Sequence, residues 1–284
     1  CTATGQPGAI QLIGHTSGYD VKQLDVVTGT YVLLYTIPFT RTQAQGGVAF
    51  SYMNACGLNP VDSRPYCIQI VDTFFFLVRF DGAQVGFVAR LPSLSFVTGD
   101  CDDDGAMHLI SSGGDKYVKL AAVQNNVAYL DSTDSRIADE RGAPTLSLGV
   151  PSTVADVVFY RGALDGNPVE DYLVGVAANG SVVVIRVSGG NPSYFFLNVV
   201  VPMPSAASWG ACWNYNSRLF FAQNSGTGVY EVFMSTADLQ ENTVETAYVG
   251  MSVATSQNDG FGCRFVVAPW ISTTSTQGTT STPA

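Results

Sequence analysis

Asp100, Asp102 and Asp104, followed by Gly105, have the alternation that opens a calcium loop: carboxylates at every second position face one centre, and the glycine permits the sharp turn. A complete loop of that kind carries Glu at its twelfth position, where this chain has Ser111. The same residues also read as a polar hairpin turn, for which Asp-Gly is favoured. Calcium is the one cofactor the sequence offers, and the turn is its competitor. A second carboxylate set is Asp100 with Asp156, and Asp259 as a looser third, at comparable points of repeated segments. Glycosidases place such groups roughly 5 to 10 Å apart as acid and base or nucleophile. The matching positions of two other segments hold Ala55 and Ala211, and no Glu occurs at that register. A carboxylate at a strand start also commonly binds neighbouring backbone amides. No catalytic residue is therefore assigned, and the chain is read as a non-enzyme.

Other reactive types are sparse. His15 and His108 are the only histidines, too few for a zinc site with no CxxC pair, and neither neighbours a GxSxG nucleophile. The runs Phe74-Phe75-Phe76 and Tyr194-Phe195-Phe196 suit either sugar stacking or core packing, and packing is the commoner use. Asn179-Gly180-Ser181 is an N-glycosylation sequon in an expected hairpin turn, whereas Asn191 is followed by proline.

The elements that must position these residues are short, rich in β-branched and aromatic side chains, and closed by Gly, Asn, Asp or Pro. Only Thr236–Ala247 hints weakly at a helix. The spacing predicts an all-β sandwich, barrel or propeller. A repeat of about 45 to 55 residues selects the propeller. The four blocks open on NACGLNP (Asn54–Pro60), TGDCDDDG (Thr98–Gly105), VADVVFYR (Val154–Arg161) and WGACWNYN (Trp209–Asn216). Each contains four expected strands; in the second block the last is NVAYLDS. The N-terminal stretch supplies only three, AIQLIGH, DVKQLDVV and TYVLLYTI. The missing innermost strand is NDGFGCRFVV (Asn258–Val267). The expectation is a five-bladed β-propeller over residues 1–270, four antiparallel strands per blade, its ring closed by the C-terminal strand joining the N-terminal blade. Residues 271–284, ISTTSTQGTTSTPA, read as a Ser/Thr-rich linker or stalk, with O-glycan acceptors at Thr273, Thr274, Thr276, Thr279, Thr280 and Thr282. Further protein is expected downstream, and the leading cysteine is consistent with a processed chain or an excised module.

Composition sets the surroundings. Of 284 residues 46% are hydrophobic and only 13% charged, and the formal net charge is −10. That sign argues against nucleic acid and anionic membranes, which need a basic surface. No apolar run approaches the eighteen or so residues of a membrane span. Lysine occurs only as Lys22, Lys116 and Lys119, so solubility must come from uncharged polar groups or glycan. Six scattered cysteines then read as disulfides in an oxidising, extracellular compartment.

GLNPVD, GDCDDDG, the Ala-Asp of VADVVF, WGACW and the closing Asn258-Asp259-Gly260…Cys263, with Cys1 leading, together resemble a five-bladed propeller domain of unknown function found in large secreted or surface-anchored repeat proteins. The likeness covers residues 1 to 270. It implies a clasp between Cys1 and Cys263. Cys56 and Cys67 flank a hairpin and are expected to meet across it. Cys101 and Cys212 remain as a third pair, with Cys56–Cys101 as an alternative. The resemblance carries no chemistry. The resulting expectation is a structural or interaction module of a cell-surface or fibre-forming glycoprotein. Its expected partners are other copies or domains of the same protein, with glycans as further candidates. A carbohydrate- or protein-binding adhesin is the second reading, and a glycan-active enzyme the third.

Overall fold

Runs of Val, Ile, Phe and Tyr closed by turn residues are too short for helices and pack well on a pleated surface. The computed structural model describes residues 8–38, 50–82, 84–150, 154–205 and 208–270, and all but one short 3-10 turn of its regular structure is strand. The first group is β1 (Ala9–His15), β2 (Gly18–Asp25) and β3 (Thr30–Pro38). The second is β4 (Phe50–Asn59), β5 (Arg64–Val71), β6 (Phe74–Asp81) and β7 (Gln84–Arg90). The third is β8 (Phe96–Cys101), β9 (Met107–Ser111) and β10 (Lys116–Leu120), followed by the short β11 (Ala138–Asp139) and β12 (Thr145–Ser147). Next come β13 (Val154–Gly162), β14 (Glu170–Ala177), β15 (Val182–Arg186) and β16 (Ser193–Val199). The last group is β17 (Trp209–Tyr215), β18 (Arg218–Gln223), β19 (Val229–Asp238) and β20 (Thr243–Gly250), and β21 (Asn258–Phe261) ends the series.

These strands form antiparallel meanders ordered β21-β1-β2-β3, β4-β5-β6-β7 with β11 added at the β7 edge, and β8-β9-β10-β12. An eight-stranded sheet, β13-β14-β15-β16-β20-β19-β18-β17, completes the set. Its halves join only where β16 runs parallel to β20, at Asn198 with Thr243 and Val199 with Val244. The inner strands contact one another in the order β4, β8, β13, β17, β21 and back to β4. This is a β-propeller fold.

Among the described residues, the buried apolar side chains fall into five clusters, each between successive meanders. Along β14, Leu173 belongs to one cluster while Tyr172, Val174 and Val176 belong to the next. A strand buried on both faces has no polar side, which is why the sequence shows apolar runs and not clean alternation. The run Phe74-Phe75-Phe76 is split between core and surface. Phe76 is buried edge-on against Phe87, with ring centroids 5.1 Å apart, while Phe74 is exposed.

The C-terminal strand pairs with β1 as expected, Ile10 opposite Phe261 and Ile13 opposite Asn258. It ends at Phe261 and does not continue to Val267. A Cβ on Gly262 would lie 2.7 Å from the Tyr215 hydroxyl, and the chain turns there. The third meander departs from expectation at NVAYLDS. Tyr129 instead exchanges backbone hydrogen bonds with Phe87 (2.6 and 2.9 Å), and β12 takes the fourth place. The free edge of β7 captures the segment, since an unpaired strand edge is a ready template. Thr236–Ala247 is a hairpin, not a helix. Asp238 caps the N–H groups of Gln240 and Glu241, and Asn242 adopts a left-handed φ of 54° to turn the chain back.

Candidate functional site

The inner strands repeat one local device: an Asp or Ala followed by a residue facing the neighbouring strand. In ring order the pairs are Ala55-Cys56, Asp100-Cys101, Asp156-Val157, Ala211-Cys212 and Asp259-Gly260. The β4–β5 register slips between Asn54 and Gly57, where Ala55 sits at φ 53°. That slip turns the Cys56 N–H out of its own ladder, and Asp259 Oδ2 accepts it at 2.7 Å. In the same way Asp100 Oδ2 accepts the Phe159 N–H of β13 at 2.8 Å. Asp156 Oδ1 accepts the Val157 N–H at 2.9 Å and the Thr98 hydroxyl of β8 at 3.2 Å, and it is also hydrogen-bonded by the Cys212 side chain of β17. Where the register holds alanine, glycine brings the backbones together. A Cβ on Gly57 would lie 2.6 Å from Asp100 Oδ1, and one on Gly260 would lie 2.6 Å from the Cys212 amide nitrogen. The three aspartates therefore staple adjacent meanders.

All three are buried, and burial raises the pKa of each. Asp156 is pushed up to about 7. Asp259 goes well above the carboxylate range, first through burial and then through the nearby Asp156 charge. For Asp100 the rise from burial is opposed by Arg264. Sequence reasoning missed this arginine, which no motif marks. It donates to Asp100 Oδ2 (3.1 Å), Asp103 Oδ1 (2.8 Å) and the Cys101 carbonyl, and lies 4.7 Å from the Phe159 ring centroid. The cavity bounded by Asp100, Cys212, Asn214 and Arg264 holds about 10 Å³, the lower limit for a single water. Asp156 Oδ2 and Asp259 Oδ1 are buried without a hydrogen-bond partner among the described residues.

The proposed calcium ligands do not converge. Asp102 accepts the Ala106 and Asp104 N–H groups (2.8 and 3.0 Å), and binds His108 Nε2 at 3.1 Å and Lys119 Nζ at 3.0 Å. Asp100 faces Arg264, and the exposed Asp104 reaches Arg161 at 3.3 Å. Among the described residues no group of three His, Cys, Asp or Glu side chains is set to hold a metal. Backbone amides and cations occupy the carboxylate oxygens in this arrangement, which fits the hairpin-turn reading. His108 is fully buried, its second nitrogen 2.7 Å from the Tyr117 hydroxyl. His15 lies apart, near Ser17 and Asp20.

Cys56 and Cys67 are joined in a disulfide across the β4–β5 hairpin. The expected Cys101–Cys212 bridge and its Cys56–Cys101 alternative are corrected: Cys101 and Cys212 are free and buried. They belong to β8 and β17, between which β13 lies, and their thiols turn to Met107 (3.5 Å) and Asp156. Burial pushes both thiols well above their usual pKa, the direction that disfavours the thiolate. Cys263 is disulfide-bonded, while Cys1 lies outside the described residues. So do Thr273, Thr274, Thr276, Thr279, Thr280 and Thr282. Asn179 is exposed in the β14–β15 turn.

No protein-family model and no curated protein matches the chain. Solved structures similar to it include the Dos1 propeller, at 10% identity and TM-score 0.38, over 87% of this chain and 64% of that one. The WD40 domain of SCAP from fission yeast is 11% identical at TM-score 0.32, over 88% and 57%. Streptogramin B lyase is 13% identical at TM-score 0.36, over 90% and 86%. The fold assignment rests on the strand pairing above.

Proposed function

We propose that this chain is a five-bladed propeller serving as a non-catalytic structural and interaction module of an extracellular, cell-surface or fibre-forming glycoprotein. The blade count is supported by the cyclic order of the inner strands, by the inter-sheet cores and by the two-pair junction that divides the eight-stranded sheet. The extracellular setting is supported by the Cys56–Cys67 bridge, which is compatible with an oxidising compartment. No described helix is long and apolar enough to cross a membrane.

One observation carries the non-catalytic reading. Asp100 and Asp259 are committed to amides of the next strand and Asp156 to the Val157 amide and Thr98 hydroxyl, while Asp100 also lies under Arg264 beside a space of about 10 Å³. A glycosidase needs room for a sugar between its two carboxyls. A binding role is the second reading. It is favoured by a cavity of about 170 Å³ where Arg64, Arg79, Asp81 and Gln84 offer donors and acceptors beside Phe80 and Leu130. The partners are then other copies or domains of the same glycoprotein, or glycans.

The test is fractionation of natural material together with a polysaccharide turnover assay. The expected result is recovery from the cell-surface or fibre fraction with no turnover. Turnover that disappears in both Asp100→Asn and Asp156→Asn would overturn the reading and promote the enzyme.

A further inference from the structure

The β14–β15 turn combines a modification motif with a geometry that the motif does not guarantee. Asn179, Gly180 and Ser181 join the two strands, with the Ala177 N–H donating to the Ser181 carbonyl at 2.9 Å. Gly180 takes φ +87°, which a larger residue would adopt only under strain. Asn179 Oδ1 accepts the Ser181 N–H at 3.0 Å and its hydroxyl at 2.7 Å. Both donors hold the amide oxygen against the turn. Its Nδ2, which has no hydrogen-bond partner among the described residues, is left toward solvent, and Asn179 is exposed. Asn179 is also the only Asn-x-Ser/Thr in the chain without an intervening proline, since Pro192 follows Asn191.

We propose that Asn179 carries an N-linked oligosaccharide on Nδ2. The inference rests on the extracellular reading above. The donor is a lipid-linked diphosphate oligosaccharide. Nδ2 attacks its anomeric carbon, the N–C bond forms, and the C–O bond to the diphosphate breaks. The lipid diphosphate leaves with the electron pair, and Nδ2 gives up one proton to the transferase. The product is accommodated by the folded chain because the glycan hangs on a hairpin tip and not on a sheet face. The Met203 and Pro204 carbonyls pass 3.2 and 3.8 Å from where a Cβ on Gly180 would stand.

The experiment is glycopeptide mass spectrometry of protein secreted by its natural source, with disulfides mapped on the same sample. The expected result is hexosamine-linked glycan on Asn179, converted to Asp by an amidase that removes N-glycans, and none on Asn191. Asn179→Gln and Ser181→Ala should each lose the glycan, while Ser181→Thr should keep it. The conservative variant guards against loss through misfolding. A bare Asn179 peptide alongside an intact Cys56–Cys67 bridge would overturn the site and leave the extracellular reading standing. A bare peptide with both cysteines reduced would overturn the two together.

Discussion

Asp100 and Asp102 are two residues apart, both buried, and titrate in opposite directions. Asp100, Asp156 and Asp259 receive mainly backbone amides, with a thiol at Asp156 and an arginine at Asp100 alone. Burial wins there, and all three pKa values rise. Burial also opposes ionisation of Asp102, yet His108, Lys119 and the Ala106 N–H outweigh it and hold this carboxyl well below its usual range. Burial of a charge is thus decided by the number of donors and cations supplied to it, not by depth. The end of the strand produces the difference: Asp100 is still within β8 and meets Phe159 of β13 and Arg264, whereas Asp102 lies in the turn just past β8, beside the second and third strands of its own meander.

The largest effect is expected from Asp102→Ala. It strips an ion pair and the acceptor of two amide N–H groups from a closed network and should cost about 3–5 kcal/mol, read as a shift of the urea midpoint. A loss below about 1 kcal/mol would place Asp102 among solvated turn residues. Arg264→Met should cost less, about 2–4 kcal/mol, because Asp100 can then take up a proton. Its signature is a further rise of the Asp100 pKa, measurable by carbon-detected NMR of the carboxyl. An unmoved pKa would mean that Arg264 acts only by packing on Phe159.

The smallest effect concerns pH. Asp156 and Asp259 bind protons more tightly when folded than when unfolded, where carboxyls titrate near pH 4. Stability should therefore fall as pH rises from about 4 through the folded value of about 7 for Asp156. Asp102, with its lowered pKa, acts oppositely: its contribution is complete above about pH 4 and is lost as pH falls. Asp156→Asn should flatten the neutral limb and leave the acid limb intact, a change of roughly 2–3 kcal/mol at pH 8 relative to pH 5. Equal slopes in the two proteins would mean that the Asp156 carboxyl ionises freely.

Strand punctuation and the recurrent inner-strand openings were legible in the residues themselves. Strand formation needs only a local pattern of β-branched and aromatic side chains between turn formers, and that pattern is written along the chain. The hairpin joining Cys56 to Cys67 was legible too, because the pairing partner lies within one turn. The roles of the aspartates were not. Asp-x-Asp-x-Asp-Gly has the spacing of a calcium loop, and nothing local says that each carboxylate is already taken by Phe159, His108 or Arg161. Arg264, far from Asp100 in sequence, closes the ring's inner end without any motif to announce it. Cys101 and Cys212 had the right residue type for a bridge, but β13 stands between their strands. The register slip that aims the Cys56 amide at Asp259, and the capture of Tyr129 by the β7 edge, likewise arise only when strands distant in sequence meet. Local pattern fixes which segments become strands, because backbone and side-chain preferences act over a few residues. Which carboxylate is neutral, charged or stapled depends on donors brought together by packing, and those only the tertiary structure supplies.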